Sequence, residues 1–167
     1  MDAAASRAAG PEGPEGALPD GVSIAAVEAY FAEVLPLFGL FGLRLDVLAP
    51  GRAEIVLRPE ARALRPGGGV AGPVMFAMAD AGLYAAIFGL RGIVPMAVTS
   101  DLGMHFLRAA RSAEIRCAVE ITKAGRRMAY GDARLTDAEG RLVARGSGSY
   151  ALPLPGEEAP PAREDRS

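Results

Sequence analysis

GGGVAGPVMFAMADAGLYAAIFGL, residues 67–90, decides the fold. After three glycines it runs to its end with one charged side chain, Asp80, and no Lys or Arg lies between Gly72 and Leu90. Gly72-Pro73 opens a helix, because a proline at the first position lacks only an N–H that would have had no intrahelical partner. Gly89 and Gly92 supply the stop, which predicts a helix over roughly 73–88. A helix with no polar face has to be wrapped by the rest of the chain. Val70–Leu90 also approaches the ~20 residues that cross a bilayer. Asp80 would then sit at the bilayer centre, costing roughly 2.5–3.5 kcal/mol, and no other segment is similar. A core helix is expected, with no membrane partner.

The wrapping is supplied on both sides. Downstream, MAVTSDLGMHFLRA (96–109), AEIRCAVEITKAG (113–125), RMAYGDARLTD (127–137) and RLVARGSGSYALP (141–153) read as long strands, with AEG (138–140) as a tight turn. Strict alternation puts Val98, Leu102, Met104 and Phe106 on one face of the first, and Thr99, Asp101 and His105 on the other. Upstream, LRLDVLA (43–49) and RAEIVLR (52–58) form a hairpin through APGR, and ARALRPGGG (61–69) is a loop. Ser23 caps a first helix, IAAVEAYFAEVLPLF, with Val27, Tyr30, Phe31 and Val34 on one face and Gly39 and Gly42 as its stop. Helix, hairpin, long apolar helix and antiparallel meander make an α+β fold with one curved sheet around the helix.

Composition narrows the function classes. The 167 residues suit one domain. The net charge is −2 and the cations do not gather into a stripe, so no nucleic-acid partner is expected. Cys117 is the only cysteine and His105 the only histidine. That excludes an intrachain disulfide, argues against a structural zinc site, and fits a reducing cytoplasm. Residues 1–21 and 154–167, small, charged and rich in Pro and Gly, are expected to be a disordered leader and tail around a domain at 22–153.

The chemistry starts at Asp80. Its helical neighbours Phe76, Ala77, Leu83 and Tyr84 cannot pair with it, and it lies two turns in, too deep to cap the helix. A buried, unpaired carboxylate costs several kcal/mol or takes up a proton, a cost that makes sense if a polar reactant comes to it. A solvated edge, or a structural acceptor for loop backbone, are the bland alternatives. Gly67, Gly68, Gly69 and Gly72 leave the helix start open, where free N–H groups and the dipole can hold a phosphate or an oxyanion. No Gly-Lys-Ser/Thr follows, so this is not a Walker loop. Donors and carboxylate are roughly 10 Å apart along one helix. Two copies packed antiparallel would bring the donors of one beside the acid of the other.

These segments resemble the hotdog-fold acyl-CoA thioesterases of the phenylacetate-pathway (PaaI-like) type, from about Leu43 to Pro153. The matching pieces are AGP (71–73), MAD (78–80), AVTSDLGMHFLRAA (97–110), AGRRMAYGDARL (124–135) and EGRLVARGSGSYALP (139–153). The resemblance implies that Asp80 is general base or nucleophile, that the Gly72 amide holds the thioester oxygen, and that Thr99 positions water. Ala71 stands where the family has histidine, Pro73 where it has a second glycine, and Arg65 where a polar residue, often asparagine, is common. The oxyanion contact then rests on Gly72, with Val74 as the next candidate donor. Arg65, Arg108, Lys123, Arg126 and Arg127 are candidate contacts for the CoA end of the substrate, with solvated surface charge as the bland alternative. Met75, Phe76, Met78 and Phe88 are expected in the core, some lining an acyl tunnel. His105 is expected to be structural or interfacial, and Cys117 a small core residue.

The implied function is hydrolysis of an acyl-CoA by a homodimer or a dimer of dimers (a homotetramer), with no metal and no cofactor beyond the CoA of the substrate. A non-catalytic acyl-CoA-binding module on the same fold is the alternative. A hydratase is disfavoured, because His105 lies away from the acid.

Overall fold

The computed structural model describes residues 16–154, so most of the expected leader and tail lies outside the described residues. Leu18, inside the expected leader, packs against the core, ahead of the domain boundary expected at Val22.

The apolar run folds as expected into α3, Gly72–Arg91, a turn longer than the spacing predicted. Gly92, at φ 85°, ends it. α3 is long and apolar enough to cross a membrane, but 72% of its apolar window is buried within the protein. What buries it is one antiparallel sheet in the order β1-β2-β4-β5-β6-β3. The strands are β1 Arg44–Ala49, β2 Arg52–Leu57, β3 Val98–Phe106, β4 Ile115–Ala124, β5 Met128–Asp137 and β6 Leu142–Ala151. α3 packs most closely over β2 and β4 and least over β6 and β3. Small residues set the closeness. A Cβ on Gly82 would lie 2.6 Å from the Val119 Cγ2, and one on Gly89 would collide with the carbonyl of Ala49. This is the hotdog fold.

The first helix is shorter than expected. Ser23 does cap it, accepting from the Ala26 N–H at 3.1 Å, but α1 stops at Val34 and a five-residue α2, Pro36–Leu40, follows at an angle. Pro36 is the cause: it offers no N–H and excludes Leu35 from helical geometry, and Leu35 sits at φ −116°, ψ 85°. Val27 and Phe31 are buried as expected, whereas Val34 is exposed.

β3, at the edge of the sheet, departs from strict alternation. Thr99 pairs with Tyr150 and Asp101 with Ser149, so one residue of β3, Ser100, has no opposite number. Such a bulge reverses the parity of the residues before it. Thr99 therefore joins Leu102, Met104 and Phe106 on the face toward α3. Val98 goes to the outer face with Asp101 and His105, where it is 54% exposed. Cys117 is fully buried on β4, and burial pushes its thiol pKa up.

One strip of α3 stays uncovered. Pro73 is exposed, and Phe76, Ala77 and Asp80 are half-buried. They lie at helical spacings of three and four, on the side nearest β3.

Candidate active site

Asp80 sits at the middle of this strip. It is half-buried in the single chain, not enclosed as the sequence suggested. Its partners come from the sheet. Thr99 Oγ1 on β3 donates to Asp80 Oδ1 at 2.7 Å. The Tyr150 hydroxyl on β6 lies 2.5 Å from the same oxygen and 3.0 Å from the Asp80 carbonyl. Among the described residues, no cation pairs with Asp80 and its Oδ2 accepts no hydrogen bond. One carboxylate oxygen is held twice, and the other is free.

Thr99 reaches the acid because of the bulge at Ser100. Without it, alternation would turn the hydroxyl to the outer face. Tyr150 was not singled out by sequence reasoning. It is 2% exposed, and its ring stacks on Tyr84 at a centroid distance of 5.8 Å and 23°. Burial first, and then the negative charge of Asp80, raise the Tyr150 pKa far above its ordinary value. The phenol is therefore neutral and a donor. Tyr84 is pinned in turn, with its hydroxyl 3.2 Å and 3.1 Å from the carbonyls of Val94 and Pro95 and 3.5 Å from the Tyr30 hydroxyl. The available signal was positional. Ala144, Gly146, Gly148 and Tyr150 share one face of β6, and Tyr150 is the first of them with a hydroxyl.

At the helix start, Ala71 is the N-cap and makes no side-chain cap bond. The N–H groups of Val74 and Met75 are both given to the Ala71 carbonyl, at 3.1 Å and 3.3 Å. Pro73 has none. Among the described residues the Gly72 N–H meets no backbone acceptor, so the open donor narrows to Gly72. Val74, 2% exposed, adds no second one. A Cβ on Gly72 would lie 3.4 Å from the ring of Phe106, itself 47% exposed beside this opening.

One protomer does not gather the five candidate cations. Arg108 follows the end of β3, and exposed Arg65 lies in the loop before α3, at the helix's N-terminal end. Lys123, Arg126 and Arg127 are exposed at the β4–β5 turn. Pairing of Phe106 with Ala144, but of Val98 and Met128 with Ala151, puts that turn at the opposite end of the sheet.

Beside Asp80 opens a cleft of about 180 Å³ lined by Leu35, Pro36, Leu37, Phe38, Ala77 and Ala81. Its walls are the α1–α2 elbow and the exposed strip of α3. Met75, Met78 and Phe88, expected in the core, are buried there and do not line it. Phe76 packs against Phe106, with centroids 6.0 Å apart.

The chain as a whole is similar to known proteins. The thioesterase superfamily model fits residues 67–144. A Pseudomonas aeruginosa protein, PA0474, whose name gives it as a candidate esterase, is 36% identical over 122 residues, covering 72% of this chain and 88% of its own. The chain belongs to the thioesterase superfamily. It is a thioester hydrolase by fold and family. Among solved structures, a candidate thioesterase from Silicibacter sp. TM1040 is 34% identical, with a TM-score of 0.70, covering 78% of this chain and 92% of that one. The phenylacetic acid degradation protein PaaI of Thermus thermophilus, solved as a single-residue mutant, is 26% identical with a TM-score of 0.64, covering 71% and 95%. Within this thioesterase the matched span holds Gly72, Asp80 and Thr99 and ends before Tyr150.

Proposed function

We propose that the thioester is an acyl-CoA, that Asp80 drives its hydrolysis, and that the site is completed across a dimer. The observation that carries this reading is a carboxylate with one oxygen held and the other free, at the mouth of an apolar cleft and, among the described residues, with no cation to neutralise it. The acyl group enters the cleft. Oδ2 of Asp80 takes a proton from a water as that water attacks the thioester carbon, or attacks the carbon itself to give an anhydride that water then opens. The Gly72 N–H of a second copy's α3 receives the oxyanion. The C–S bond breaks, and the thiolate takes up the proton, leaving free acid and CoA. Arg65 and Arg108 at one end of the protomer, and Lys123, Arg126 and Arg127 at the other, are the cations that the CoA phosphates would meet. The reading places the protein in the cytoplasm.

The test is a panel of aliphatic and aryl CoA esters with wild type and Asp80→Asn. Asn accepts no proton, so turnover should fall by about 10²–10⁴. A wild type that hydrolyses none, or a variant at full rate, refutes the proposal. Only one free N–H at the helix start favours a second reading, an acyl-CoA-binding module without turnover. Tight binding of intact esters would select it.

A further inference from the structure

We infer that Tyr150 is a positioning residue for the reacting carboxylate: with Thr99 it pins Oδ1 of Asp80, so that Oδ2 alone faces the substrate. The inference rests on Asp80 being the reacting group. A carboxylate can turn about its Cβ–Cγ bond and present either oxygen. Here two hydroxyls converge on the same one, Thr99 Oγ1 at 2.7 Å and Tyr150 OH at 2.5 Å. The phenol has a single proton. The charged Oδ1 is nearer than the Asp80 carbonyl at 3.0 Å and is the stronger acceptor, so the proton goes there.

The two donors are not equivalent. Thr99 stands beside a bulge on the edge strand β3, where its bond is exposed. Tyr150 stands on β6, paired on both sides by β3 and β5. Its ring is buried against Tyr84, which the loop at Val94 and Pro95 holds in turn. Tyr150 is the rigid donor, and Thr99 completes a geometry that Tyr150 sets. Among the described residues, Tyr150 and Tyr84 are titratable side chains that approach the acid, and both phenols are held neutral, chiefly by burial.

Tyr150→Phe keeps the ring on Tyr84 and removes only the donor. With a CoA ester that the wild type hydrolyses, kcat should fall about tenfold with KM nearly unchanged, since the lost contact acts on the reacting group and not on substrate binding. Thr99→Val should cost far less in the Tyr150→Phe background than in the wild type, because a carboxylate already free to turn has little geometry left to lose. A wild-type kcat in the variant overturns the inference, as does a loss that simply adds to that of Thr99→Val, which would mark Tyr150 as packing alone. If Tyr150→Phe does not fold, 3,5-difluorotyrosine at 150, a stronger donor of nearly the same shape, should move the hydroxyl proton resonance of the clamp further downfield, and an unmoved resonance overturns the inference. If the wild type turns over no ester, the hydrolysis proposal falls by itself. The clamp is then read by proton NMR at low temperature, as a protected hydroxyl resonance downfield of the amides. It should vanish in both Tyr150→Phe and Asp80→Asn, and its absence from the wild type overturns the clamp.

Discussion

Two carboxylates in this chain show how surroundings set a role. Among the described residues, Asp80 meets hydroxyls and no cation. Asp137, at the end of β5, is the reverse case: its side chain is 4% exposed, and it accepts from the Arg141 backbone N–H and Nε, each at 2.8 Å. Burial opposes the charge of Asp137, but the backbone and side-chain hydrogen bonds from Arg141 outweigh it and hold the carboxyl below the usual range. A depressed folded-state pKa stabilises the protein above the unfolded value, and that stabilisation is lost as pH falls through the folded value. Asp137→Asn should therefore melt below wild type at neutral pH, with the two melting temperatures converging as pH drops below about 4. An equal gap at every pH would show that the charge is not what matters. At this scale Asp80 was legible in the sequence, because a lone acid in a charge-free helix stands out. Tyr150 was not. Nothing in RGSGSYALP marks a tyrosine as functional until the register of β6 with β3 and the position of α3 are known.

At the scale of elements, two local irregularities build the site. The Ser100 bulge turns Thr99 toward α3, and no residue type in AVTSDLG announces a bulge, so alternation alone misplaced Val98 and Thr99. The break at Pro36 was legible as a proline rule, yet the apolar spacing on either side suggested one continuous helix. The angle it creates leaves the cleft between Leu35–Phe38 and the Ala77–Ala81 strip. Ala77 is half-buried on its wall. A cavity of about 150 Å³ lined by apolar side chains is known to hold a benzene ring, so a cleft of about 180 Å³ has space for a six-carbon acyl group. Ala77→Leu should fill it. The ratio of kcat/KM for hexanoyl-CoA over acetyl-CoA should fall about tenfold or more, the discrimination expected from apolar-pocket contacts. An unchanged ratio would move the acyl group elsewhere.

The whole molecule carries features that a single chain leaves unused. β3 is an edge strand, the strip Pro73–Phe76–Ala77–Asp80 is uncovered, and Phe106 and Leu107 at one end of β3 and Val98 at the other are exposed by about half. The order of elements and the single curved sheet were legible from charge-free and alternating runs. Which apolar groups stay exposed was not, because the edge position of β3 and the bare strip of α3 leave no periodicity in the sequence. Gly72 and Asp80 lie on one helix and cannot converge on one reacting atom, whereas helices related by a twofold axis can. That difference is measurable without a structure of the dimer. Asp80→Asn removes the acid and Gly72→Pro removes the N–H, while Ala71 already has the extended backbone, φ −70° and ψ 142°, that suits a residue before proline. Each variant alone should be inactive. After mixing under conditions that exchange subunits, half the dimers are hybrids, and each hybrid assembles one intact site from the acid of one chain and the amide of the other. Activity should return to roughly a quarter of wild type. If acid and amide act within one protomer, every site in the mixture carries a defect and nothing returns.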